Sequence, residues 1–130
     1  ELDKVKKFVA SGKPILGIRT ASHGFQNWLE MDKLVFGGDY KNHLKADLKC
    51  VVAATDSGKS HAILKGVGAI KSDGSLYRNP ETAKDITVLL TGTVGKETYP
   101  VAWTREKDNR RVFYTSLGHQ VDFQDEAFLK

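Results

Sequence analysis

Two stretches of the sequence run from apolar residues straight into side chains able to do chemistry. In KPILGIRTASH (residues 13–23), a short apolar run, Ile15–Ile18, gives way to Arg19, Ser22 and His23. In RVFYTSLGHQ (residues 111–120), a β-branched and aromatic run ends at Ser116-Leu117-Gly118, and His119 follows at once. An imidazole titrates near neutrality and offers two distinct nitrogens. His119 therefore suits general acid–base work or metal ligation, and equally a turn satisfied by backbone. An unpaired arginine is costly inside a sheet. Arg19 is thus expected at a strand end, facing either a carboxylate of the protein or an anionic or hydroxyl-rich ligand. Open α/β sheets carry their ligand crevices just past the strands' carboxyl ends, so two such ends can build one site between them.

Other residues extend or limit this site. Ser22 and His23 have the types of a nucleophile–base pair, but as sequence neighbours they are expected to point apart. The loop GGDYKNH (residues 37–43) offers Gly37 and Gly38 for close backbone approach to a ligand or for turning the chain, with Tyr40 and His43 beside them. Trp28 is either core or a platform for a sugar face. His23, His43, His61 and His119 lie far apart, without H-x-x-x-H or C-x-x-C spacing, so no metal is expected. Cys50, the lone cysteine, sits in an apolar run and reads as packing. The string DSGKS (residues 56–60) lacks the glycine spacing of a phosphate loop.

The elements that must position these groups follow from periodicity. Residues 2–11 carry Leu2, Val5, Phe8 and Val9 at helical spacing, with Gly12 and Pro14 beyond. Helix, turn and buried strand form half of a βαβ unit, so Ile15–Ile18 is expected on a central parallel strand. Residues 26–35 read as helix or part-helix stopped by Gly37-Gly38. Residues 48–54, 85–91, 99–104 and 112–116 read as strands, the last two joined antiparallel by Lys107-Asp108-Asn109. Residues 61–67 are ambiguous. Ser72-Asp73-Gly74-Ser75 signals a hairpin.

Composition bounds the function. The chain has 130 residues, 40% hydrophobic and 28% charged, the size and balance of one globular domain. The formal charge of +4 is scattered: residues 1–65 hold 11 Lys/Arg against 7 Asp/Glu, and residues 66–130 hold 9 of each. A nucleic-acid partner is not expected, because such proteins concentrate basic residues on one face. No apolar stretch reaches the roughly 20 residues of a membrane helix, and no signal peptide is visible. Localisation stays open between the cytoplasm and, with an upstream signal, the periplasm. The opening and closing helical patterns lead us to expect a fragment lacking N-terminal strands and the end of its last helix.

In order along the chain, PILGIRTASHGF (14–25), GGDYKNH (37–43), HAILKG (61–66), GSLY (74–77), VLLTG (88–92), PVAWT (100–104) and RVFYTSLGHQVDF (111–123) resemble the ThuA-like family, named for trehalose utilisation. The resemblance spans nearly the whole chain. It implies an α/β fold similar to class I glutamine amidotransferases: a flavodoxin-like three-layer sandwich, its sheet mostly parallel with antiparallel strands toward the C-terminus. It also shows a departure. Arg19 stands where an amidotransferase has its nucleophilic cysteine. His119 matches the family histidine, but Val121 stands where the glutamate would be, with Asp122 next. Without a thiolate, covalent glutamine hydrolysis has no nucleophile. The expected ligand is a small carbohydrate, with no cofactor. His119, Arg19 and His23 are the expected catalytic groups. Gly37, Gly38, Tyr40, His43 and Trp28 are the expected ligand contacts. Catalysis in sugar or glycoside metabolism and a non-catalytic carbohydrate-binding or structural role both remain open at this level.

Overall fold

The computed structural model describes residues 1–45 and 48–130. Helix α1 (Leu2–Ala10) ends where the Ser11 hydroxyl turns back to the Phe8 carbonyl at 2.6 Å. Arg110 donates to the Val9 carbonyl at 2.7 Å, satisfying a helix-end acceptor. Strand β1 (Ile15–Ile18) follows. Short β2 (Asn42–His43), β3 (Cys50–Ala54), helix α2 (Asp56–Ser60), β4 (Lys71–Ser72) and β5 (Tyr77–Arg78) lead to the long strands β6 (Ile86–Val94), β7 (Glu97–Lys107) and β8 (Arg110–Thr115). Helix α3 (Glu126–Leu129) comes last.

The main sheet has the order β1-β8-β7-β6-β3-β4, and β2 pairs with β5 in a separate two-stranded ladder. Among the described residues only β1 and β8 are parallel; every other pair is antiparallel. This corrects two expectations. The sheet is mixed and mostly antiparallel, and among the described residues β1 is an edge strand, not a central one. The reason lies in the connections. Two-residue turns at Gly95-Lys96 and Asp108-Asn109 join β6 to β7 and β7 to β8, and so short a loop permits only antiparallel neighbours. Asp108 and Asn109 both take positive φ, 53° and 58°, as the primed hairpin turns require. The expected hairpin at 72–75 is also corrected. That turn passes from β4, paired with β3, to β5, paired with β2.

The sheet carries apolar clusters on both faces. One, of Met31, Val35, Phe36, Trp103, Val112 and Tyr114, is flanked by α1 through Val5 and Val9. Gly17 makes this packing possible: a β-carbon there would stand 2.5 Å from the Phe36 ring and 2.9 Å from that of Tyr114. The other gathers Cys50, Leu76, Leu90, Val101, Ala102 and Leu117. The region expected as helix or part-helix, 26–35, is part-helix: turns lead into one π-helical turn, Asp32–Phe36, stopped by left-handed Gly37 at φ 75°. Arg105, 5% exposed, anchors that turn. Its Nη1 donates to the carbonyls of Lys33, Leu34 and Val35, and its Nε donates to Asp85 at 2.9 Å. The guanidinium holds the Asp85 carboxyl below its ordinary range.

Cys50 lies buried in the second cluster, and burial pushes its thiol up from the ordinary value. Cys50→Ala should leave any activity within a few-fold and cost roughly 1–3 kcal/mol of stability. Complete inactivation by a thiol reagent, prevented by that substitution, would show a chemical role instead.

Candidate functional site

Because β1 and β8 run parallel in register, with Ile18 opposite Thr115, Arg19 and His119 emerge at the same end of the sheet. Arg19 takes φ 45° at the head of the turn Arg19–Ser22. For a bulky residue this is a strained conformation, of the kind that clusters at functional sites. Tyr114 Oη donates to the Arg19 carbonyl at 2.7 Å and helps hold it. The guanidinium donates from Nη1 to the Ser116 carbonyl and from Nη2 to Ser75 Oγ, each at 3.1 Å. It also lies 4.8 Å from the centre of the Tyr77 ring, a cation–π contact.

His119 is delivered by a glycine turn. Gly118 has φ 101°, and a β-carbon there would come within 2.6 Å of Ile18. Asp122, 1% exposed, fixes the turn. Its Oδ2 accepts from Gly118 N at 2.7 Å, His119 N at 2.9 Å and Ser72 Oγ at 2.9 Å. The 72–75 turn closes against both site residues: a β-carbon on Gly74 would stand 2.9 Å from the His119 β-carbon and 3.0 Å from Arg19 Nη1. His119 Nδ1 is buried with no hydrogen-bond partner among the described residues.

His23 joins this cluster through aromatic contacts. Its ring stacks on Tyr40, centroids 4.2 Å apart and planes 10° apart, and Tyr40 meets Tyr77 at 4.6 Å. His43 approaches Tyr77 at 6.2 Å from the opposite strand of the β2–β5 ladder. Burial, with the nearby His43 and the Arg19 guanidinium, holds the His23 imidazole below its ordinary 6.5. The expectation that Ser22 and His23 point apart is corrected. The tight Arg19–Ser22 turn brings Ser22 Oγ within 3.0 Å of His23 Nδ1. Ser22 is 3% exposed, which leaves its hydroxyl little room to meet a substrate.

The other expected contacts divide. Gly38 lies on the inner side of the Tyr40 loop, against Asp32. Gly37 packs on Ile86, Ala83 and Arg105, away from the cluster. Trp28 packs on the first core cluster with the Lys6 ammonium 5.3 Å from its ring. His61 caps a short turn, Nδ1 accepting from Ile63 N. A pocket of about 290 Å³ adjoins the cluster, walled by Ser22, His23, Gln26, Leu29, Asp32, Tyr40 and Lys41. Neither Arg19 nor His119 lines it or the four other cavities described. Among the described residues no three His, Cys, Asp or Glu side chains gather as a metal would require, and no helix is long and apolar enough to cross a membrane.

Four residues here had no site role legible in the sequence: Asp32, Ser75, Tyr77 and Asp122. Asp32 left one signal, an acid set in an apolar segment. It is 7% exposed, and burial pushes its carboxyl up to about 6 from an ordinary 3.8. The native state therefore holds this proton more tightly than the unfolded chain. The stabilisation is full below about pH 4 and lost as pH rises through 6, on the order of 2–3 kcal/mol. Urea midpoints should fall over that window in the wild type, and Asp32→Asn should remove that part of the slope. An unchanged slope would assign the pH dependence to other groups.

The fold and cluster together define an α/β domain with basic and aromatic residues gathered at the carboxyl ends of a parallel strand pair. The chain belongs to the ThuA family: that family's model, described as trehalose utilisation, matches residues 1–130. Membership carries a role in trehalose utilisation, a sugar-related function. A comparison with curated proteins found no match.

Proposed function

We propose that the domain performs acid–base chemistry on a carbohydrate at the carboxyl ends of β1 and β8. The observation that carries this reading is the meeting of Arg19 and His119 against Gly74, with Arg19 held in a strained backbone conformation. His119 serves as the acid/base. Arg19 and His23 hold hydroxyls or a developing oxyanion, where preorganised donors are most effective. Tyr40 and His43 edge the site, with Gly38 behind Tyr40. Gly37 and Trp28 support it from outside. The reaction uses no cofactor in this reading.

The same reading assigns the domain to the class I glutamine amidotransferase-like superfamily, with flavodoxin-like three-layer topology. Its support is the parallel β1–β8 pair and the positive φ at the residue following β1. Amidotransferase chemistry itself is not proposed. The elbow carries Arg19, and the one cysteine is buried on β3.

One observation favours a second reading, a non-catalytic carbohydrate-binding or structural domain: neither Arg19 nor His119 borders a described cavity. A mass-spectrometric screen of trehalose with other ordinary and oxidised disaccharides separates the two. Turnover of any member supports the catalytic reading. Saturable binding throughout without product supports the second.

A further inference from the structure

We infer that Asp32 is a positioning residue of the proposed site: it holds Tyr40 flat on His23 and, through Tyr77, steadies the ring on which the Arg19 guanidinium rests. The inference builds on the reading that Arg19 and His23 face the ligand, yet its geometry requires none.

The backbone of residues 38–40 meets Asp32 twice, while Asp39 N between those contacts donates to Asn79 Oδ1 at 3.0 Å. The Asp32 carbonyl accepts from Gly38 N at 3.2 Å, and Oδ2 accepts from Tyr40 N at 2.8 Å. A β-carbon on Gly38 would collide with Oδ1, so glycine is what allows the loop to close over the carboxyl. Tyr40 leaves this clamp with its ring parallel to His23 and 4.6 Å from Tyr77. Tyr77 in turn carries Arg19 at 4.8 Å. A displaced Tyr40 would uncover His23 and remove one side of the Tyr77 packing.

Oδ1 makes no hydrogen bond among the described residues, so the carboxyl is tied on one side only. An ionised carboxylate is the stronger acceptor for Tyr40 N–H, so the grip on the loop follows the Asp32 proton. The groups that face it are Asp39 and Lys41 from the same loop, Tyr114 from β8 and His23 across the shared pocket.

Nuclear magnetic resonance of the whole chain tests this without a sugar. The four histidine rings are assigned by single His→Gln substitutions, and the Tyr40 amide is followed with pH. In the wild type the His23 ring protons should lie upfield of those of His43 and His61 because of the stacked Tyr40 ring. The Tyr40 amide should titrate with a midpoint near 6. Asp32→Asn, which keeps an acceptor, should preserve the upfield shift and abolish the Asp32 component of the amide titration. Asp32→Ala should lose the upfield shift while circular dichroism stays native. A folded Asp32→Ala protein whose His23 signals remain upfield overturns the proposal. So does a Tyr40 amide that is flat in the wild type or titrates unchanged in Asp32→Asn. Where Asp32→Ala fails to fold, the wild-type and Asp32→Asn titrations decide alone. Failure here leaves the His119 turnover prediction intact, and failure of that prediction leaves this clamp intact.

Discussion

Replacing His119 by alanine should lower turnover of a carbohydrate substrate by about two to four orders of magnitude, the usual share of a positioned acid/base. The fold should survive. The turn presenting His119 is held by the Gly118 and His119 amides on Asp122, not by the imidazole, and the ring makes no hydrogen bond through Nδ1 among the described residues. Stopped-flow or mass-spectrometric rates beside an unchanged thermal midpoint check this. A variant that turns over as fast as the wild type would remove His119 from the chemistry. Arg19→Ala should behave differently, weakening ligand binding and stability together. Its guanidinium links the turns at Ser75 and Ser116.

Asp122→Ala should damage the fold itself, costing about 3–5 kcal/mol. It strips three donors of one buried acceptor at once: the Gly118 and His119 amides and the Ser72 hydroxyl. Each buried donor left unpaired costs roughly 1–3 kcal/mol, partly recovered by water where the turn can open. Asp122→Asn keeps one acceptor oxygen and should retain part of the loss. The turn carries His119 and, through Ser72, reaches the 72–75 segment that closes on Arg19. Unfolding in denaturant measures the cost directly. A loss below about 1 kcal/mol would mean the turn is held by other contacts.

Local structure was legible in the sequence wherever a repeat or a turn signal set it. The helical spacing of Leu2, Val5 and Val9 and the Lys107-Asp108-Asn109 turn both appear in the fold. Strand order was not legible. Whether β1 lies central or at an edge depends on which distant strands pair with it, and an apolar run of four residues looks the same in either place. Arg19 and His119 could be placed at strand ends because chain direction and a glycine stop are local facts. Ser22 and His23 were misread because alternation along an extended chain does not hold in a 3-10 turn. The roles of Asp32 and Asp122 were not legible for another reason: they consist of bonds to Tyr40 and Ser72, contacts that exist only after folding. Asp122 stood out only as the acid next to Val121; that its carboxylate gathers the amides of the His119 turn is visible only in the fold.

In the proposed function a sugar is held at the carboxyl ends of β1 and β8. Amide shift mapping tests it most directly, with trehalose and any disaccharide the protein consumes titrated into the ¹⁵N-labelled chain. Saturable shifts should concentrate at Arg19, His23, Tyr40, Ser75, Tyr77 and His119 and be reduced in Arg19→Ala. Saturable shifts confined to the apolar groove lined by Leu16, Ile63, Phe113 and Phe128 on the sheet, with these six amides unmoved, would contradict it.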